Sequence, residues 1–178
     1  MYDMRDVSFD IDDFYDPRIR VGKCYHEAAH AVFAHHAGLQ IHDVYVTPAG
    51  EGTCDLGLPD DPNPLFAPEL ATVLLAGEYA EYRCWGTSKP GTFEAFEQQV
   101  RDDPGFFDFP RARRLLERAA TAPDNPWGDL KECHRVASEA TASNIVLWWP
   151  QIEAVAQRLK QGDRLNGEGV SRILEGLR

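Results

Sequence analysis

Lys23-Cys24-Tyr25-His26-Glu27-Ala28-Ala29-His30-Ala31-Val32 is the stretch on which the reading of this chain turns. A helix rotates about 100° per residue, so His26 and His30 project within about 40° of each other, one turn apart. Two imidazoles on one face can grip a single metal ion. Glu27 lies between them in angle and is displaced along the axis, which suits a base acting on a metal-activated water rather than a third ligand. The flanks predict a helix around the motif. Asp16-Pro17 reads as an N-cap followed by a first-turn proline, and Gly38 as the C-terminal stop. Ile19, Val21, Tyr25, Ala29, Val32 and Phe33 form the expected buried face.

Composition narrows the class. A chain of 178 residues suits one domain with a real apolar core. The formal charge of −11 argues against nucleic-acid backbones and anionic membrane surfaces, both of which call for basic patches. No apolar run reaches the length of a membrane span, and the acidic opening from Met1 to Asp13 lacks the basic and apolar regions of a signal peptide. A cytoplasmic protein is expected. Cys24, Cys54, Cys84 and Cys133 are widely spaced and form no Cys-x-x-Cys pair, so they read as reduced, small apolar residues. Cys24 lies two residues before His26, but i and i+2 point about 160° apart on a helix, which disfavours it as a ligand.

Outward from the motif the pattern is mostly helical. Ile41 to Thr47 is rich in β-branched and aromatic residues, ends at Pro48-Ala49-Gly50, and returns as Thr53 to Leu58, predicting a hairpin or edge strand. Pro59, Pro62, Pro64 and Pro68 mark a surface loop, after which a helical period runs from Pro68 to Trp85 and closes at Gly86. Further helices are expected over Thr92 to Arg101, Asp108 to Ala120, from Asn125-Pro126 towards Trp149, Gln151 to Lys160, and Asn166 to Leu177. Pro104-Gly105 reads as a turn, and Pro150 bends or restarts its helix. The expected fold is mainly α with a small β-hairpin or edge strand after the metal helix. Residues 1–15 form an acidic N-terminal segment and residues 16–178 a single domain.

A catalytic zinc ion usually takes three protein ligands, so the third one sorts the zinc peptidases that share His-Glu-x-x-His. The metzincin pattern would use His36, but Phe33 stands where that pattern has glycine. A helix unbroken to Gly38 leaves His36 about 9 Å beyond His30 along the axis, and neither Met1 nor Met4 can supply a downstream Met-turn. His35 and His36 suit a helix C-terminus instead. Glu78 and Glu81, on the helix from Pro68 to Trp85, are a thermolysin-like alternative, although carboxylates on an amphipathic helix are usually solvated. An aspartate farther on is the remaining option.

Lys23 to Val32 followed by Ile41 to Pro48 resembles the peptidase domain of FtsH-type AAA+ metalloproteases, which typically reads Tyr-His-Glu-Ala-Gly-His-Ala and then a strand ending in proline. Leu74-Leu75-Ala76-Gly77-Glu78-Tyr79-Ala80-Glu81 is similar to the family's Leu-x-Gly-Arg-x-Ala-Glu segment, with Glu78 where arginine is usual. Trp149 to Ala156 and Leu165-Asn166-Gly167-Glu168 resemble its closing helices. The likeness runs in patches from Arg18 onward and implies a zincin-like helical peptidase domain. It also implies a third ligand in an Asp-Leu-x-x-Ala pattern opening a helix. Asp108-Phe109-Pro110-Arg111-Ala112 keeps the spacing, whereas Gly128-Asp129-Leu130 keeps the Asp-Leu pair but not the alanine. Asp108 is preferred as an N-cap before Pro110, Asp129 follows as a first-turn acid, and Glu81 comes behind both, with a role as partner to an imidazole.

The expectation is a zinc peptidase with Zn²⁺ held by His26, His30 and Asp108, Glu27 as general base, and Glu81 supporting a histidine. Its substrates would be peptides or unfolded and exposed protein segments, paired along the strand at Val44, Tyr45 and Val46. No Gly-x-x-x-x-Gly-Lys-Ser/Thr loop occurs and no membrane segment is read, so the domain is expected to work without a motor of its own, through a separate ATPase or by self-association. Ala29 in place of the family's glycine adds one methyl and leaves the ligands unchanged. Two rivals remain: a catalytically weak or inactive pseudo-peptidase used as a binding module, with the segment Asp3 to Asp16 as a solvated tail in preference to a cover over the cleft, and a helical protein without metal.

Overall fold

Helix α1, Pro17–His36, runs through the middle of the molecule. The computed structural model describes residues 17–59, 63–85 and 108–177. The acidic segment, the Asp16 cap, Gly86, the helix expected over 92–101 and the turn at 104–105 lie outside them. A single buried stripe was expected on α1, yet every residue from Cys24 to Ala34 is buried. The cause is side-chain size: Ala28, Ala29, Ala31 and Ala34 let neighbours approach from several directions, and each is fully inaccessible. Gly38 ends α1 with a φ of 69°, while Gly38 N–H bonds to His35 O at 3.2 Å and Leu39 N–H to Ala34 O at 2.9 Å. This is a Schellman stop, which glycine enters without a Cβ penalty.

The chain then makes a two-stranded antiparallel hairpin, β1 Ile41–Val46 and β2 Gly52–Leu56, with Val44 opposite Cys54 and Val46 opposite Gly52. A 3-10 turn at Pro64–Phe66 leads into α2, Ala67–Trp85. Next come α3 Asp108–Thr121, α4 Leu130–Leu147, α5 Trp149–Lys160 and α6 Gly167–Glu175. The fold is mainly helical with one small hairpin. No helix among the described residues is long and apolar enough to cross a membrane.

One boundary departs from the sequence reading in an informative way. Asn125-Pro126 was expected to open a helix, but Asn125 Oδ1 accepts from Trp127 N–H at 2.9 Å and closes a side-chain turn instead. Gly128 follows with a φ of 91°, outside helical space, so α4 starts at Leu130. Asp129 is its N-cap, accepting from Glu132 N–H at 2.9 Å.

Packing around α1 comes from both sides. Along α5 the Tyr25 ring stacks on Trp149 at 5.2 Å and Phe33 meets the Trp148 edge at 4.8 Å. At the start of α1, Arg20 donates to Thr47 O, Leu159 O and Lys160 O at 3.1 to 3.3 Å. One cation thereby ties the helix to the hairpin and satisfies the last carbonyls of α5. Helix α2 packs antiparallel to α1, with Glu81 at His26 and Val73 at His30, and α3 and α4 pack against α2. The two-helix layer of α1 and α2 carries the site.

Candidate metal centre

His26 and His30 face α2 one turn apart, and both are buried at 4 % exposure. His30 Nδ1 lies 2.7 Å from Val73 O. A carbonyl only accepts, so Nδ1 carries the proton, and in the neutral ring the lone pair sits on Nε2. His26 Nδ1 is likewise engaged, 3.2 Å from Glu81 Oε2. Both Nε2 atoms therefore point to the same place.

Asp108 arrives there from the first turn of α3. Its Oδ2 is 3.3 Å from His30 Nε2 and 3.6 Å from His26 Nε2, and the three potential ligand atoms lie within 4.8 Å of one another. His30 Nε2 is nonetheless buried with no hydrogen-bond partner of good geometry. An orphaned, buried ring nitrogen beside a carboxylate is the arrangement a metal ion resolves. The residues fit a divalent ion with an N₂O donor set and leave a position for another ligand.

Electrostatics point the same way. Burial alone would lower the His26 pKa, but Asp108 and Glu81 outweigh it and hold the imidazole up at about 10. Burial opposes charge on His30 too, yet Asp108 raises it. The two imidazoles in turn drive the Asp108 carboxyl well below its ordinary value despite its burial. Two imidazoles and a carboxylate thus gather where a cation would fit, and each raises or lowers the other's pKa towards the charged form.

Room for that cation comes from α2. A Cβ at Gly77 would lie 2.5 Å from Nε2 of both histidines, so a side chain at this position would occupy the space between them. The glycine follows Val73 and precedes Glu81 by four residues each, so one face of α2 holds His30, clears the centre and holds His26. Sequence reasoning missed Gly77 and Val73. A glycine inside a helix, which costs about 1 kcal/mol relative to alanine, was the available signal.

Glu27, 6 % exposed, lies against β2, where a Cβ at Gly52 would come within 2.9 Å of Glu27 Cδ. A cleft of about 280 Å³ opens here, lined by Glu27, His30, Asp108, Leu74, Arg111 and the residues of β2. A larger cavity, about 560 Å³, lies between α3 and α4 beside Phe109 and His134. The converging donors are in the smaller one, and chemistry outranks size.

Val44, Tyr45 and Val46 do not offer a free edge as expected: β1 pairs with β2 on one side, and Val44 exchanges backbone hydrogen bonds with Leu165 at 2.7 and 2.9 Å on the other. Val44 and Val46 are buried, so the strand lining the cleft is β2. Asp129 is occupied as an N-cap, not placed beside the histidines. His36 stacks on Trp148 at 4.0 Å and bonds to Gln151 at 2.7 Å, away from the centre. Glu81 bonds to His26, and it also lies 3.5 Å from Lys23; these partners hold its carboxyl low against the effect of burial. Glu78, expected to be solvated, is 2 % exposed with both oxygens unpartnered, and burial raises its pKa. Cys24 is fully buried and its thiol is pushed up by burial, which removes it as a thiolate. Burial likewise keeps the Cys54 thiol, on the cleft wall, neutral.

No family model matches the sequence, and no curated protein matches it. The functional reading therefore rests on the geometry together with the sequence motif.

Proposed function

We propose that this protein is a zinc-dependent peptidase of FtsH-like type that hydrolyses peptides or unfolded and exposed protein segments. The observation that carries this reading is the convergence of two buried, tautomer-fixed imidazoles with Asp108, beside the buried carboxylate of Glu27. His26, His30 and Asp108 would hold the ion. When bound, zinc supplies Lewis acidity towards a carbonyl oxygen and acidifies water to a pKa of about 7.

The chain's own residues do the rest. Glu27 takes the proton of the attacking water and hands it to the leaving amine, one carboxylate serving as base and then as acid. Gly52 lets β2 lie close enough to fix that carboxylate in the cleft wall. Glu81 and Val73 keep the imidazoles in the ligating tautomer and orientation. A substrate strand adds to the outer edge of β2, which reads main chain more than side chain. Four free thiols suit a reducing, cytoplasmic setting.

The test is zinc-loaded wild type against Glu27→Gln on unfolded casein. The variant should retain its metal and lose at least about a hundredfold in rate. Equal rates for the two proteins, at equal metal content, would remove the peptidase reading.

A further inference from the structure

The metal cleft does not end at Arg111. A second groove of about 340 Å³ continues from it, and Leu58, Leu74 and Arg111 line both. Arg111, Arg114 and Arg118 stand along this groove at i, i+3 and i+7 of α3, over a floor that includes Leu70 and Leu115. That spacing brings the three guanidinium groups onto one helix face and spreads them over about 10 Å of axis, the length of about three extended residues. The row begins one turn after Asp108.

The charge is unusual for this protein. With 29 acidic and 18 basic residues, the chain as a whole is anionic. Arg113, Arg135, Arg158 and Arg164 are each engaged by an acidic side chain. By contrast Arg111 makes no hydrogen bond or ion pair among the described residues and Arg114 donates only to Pro110 O, at 3.3 Å, whereas Arg118 has a partner, so the open charge of the groove is that of Arg111 and Arg114. Attraction beyond about 8 to 10 Å is screened in ordinary salt, so the local row, not the net charge of −11, governs what enters the groove. A guanidinium also presents a planar fork that matches a carboxylate.

We propose that this groove is a subsite for acidic side chains, so that the segments preferred in the cleft carry Asp or Glu among apolar residues on one side of the bond to be cut. The proposal rests on the peptidase reading above for its link to cleavage, but its binding half can be measured separately. Zinc-loaded Glu27→Gln protein binds fluorescein-labelled peptides without consuming them. A leucine-rich peptide carrying three glutamates should bind about tenfold tighter than its three-glutamine counterpart at low salt, and the gap should close as salt approaches about 1 M. Adding Arg111→Gln and Arg114→Gln should abolish the preference, and the matching lysine pair should restore most of it, which a merely structural role for the arginines would not do. Equal binding of the two peptides, or a preference that survives the glutamine pair, overturns the proposal. Discrimination by the Glu27→Gln protein combined with failure of wild type to cut casein supports the acidic subsite and removes the peptidase reading alone.

Discussion

Asp108 and Asp129 each stand at the start of a helix, and what separates them is the company their oxygens keep. Asp129 Oδ1 is committed to Glu132 N–H, and nothing else in its surroundings calls for a charge. Asp108 Oδ2 faces two imidazole nitrogens, and its carboxyl is held well below the ordinary range by them. Substitution separates the two roles. Asp108→Ala removes one of three donors and leaves two buried imidazoles without their counter-charge; zinc retained after dialysis should fall below about a tenth of an equivalent. Asp129→Ala removes a cap and should cost about 1 kcal/mol of stability while the protein keeps a full equivalent of metal. Metal analysis and thermal melts on both variants decide the matter. Retention of zinc by Asp108→Ala and its loss from Asp129→Ala would reverse the ligand assignment.

At the scale of elements, α2 is what turns a pair of histidines into a site. His26 and His30 share a face because i and i+4 always do, which is why that half of the centre was legible in five residues. The other half required knowing that α2 runs antiparallel to α1, so that Glu81 meets His26 and Val73 meets His30 with Gly77 between them. No local pattern encodes that register. The hairpin shows the same division. Its strands were legible from β-branched residues and a Pro-Ala-Gly turn, but which strand faces the cleft depends on Leu165, far along the chain, pairing with Val44. The start of α4 was misread because the Asn125 turn and the left-handed Gly128 interrupt what looked like one helical run. Gly77→Ala probes the register directly. Alanine favours a helix by about 1 kcal/mol over glycine, so helix content should hold, yet its methyl would fall 2.5 Å from both Nε2 atoms. Displaced imidazoles should weaken zinc binding at least about tenfold in equilibrium dialysis, and unchanged affinity would show that the space beneath Gly77 is not where the ion sits.

Across the whole molecule the candidate centre joins three helices that are distant in sequence, so on the proposed reading occupancy of the site and stability of the fold would be linked. In the metal-free protein the raised pKa of His26 means that its ion pairs stabilise the fold fully below the ordinary imidazole pKa of 6.5 and cease to do so as pH rises through about 10. Asp108 has the opposite sense, its pKa being depressed, so its contribution is present above its ordinary 3.8 and is lost as pH falls below that. Without an ion the cluster would therefore be most stabilising in mildly acidic solution. An ion in the same place needs both imidazoles unprotonated, so binding displaces protons and strengthens as pH rises. Any ligand that binds only the folded state adds RT ln(1 + [L]/Kd), which is about 2.7 kcal/mol at a hundredfold excess over Kd. Melting temperatures measured with zinc and with a chelator should consequently diverge with pH: a small gap near about pH 6 and a gap several degrees wider near about pH 8. Imidazole pKa values raised by Asp108 at both histidines, and by Glu81 at His26, predict that sign. A gap that stays constant over this range, or narrows, would mean that metal and protons do not compete for His26 and His30, and the ion would have to be sought elsewhere in the fold.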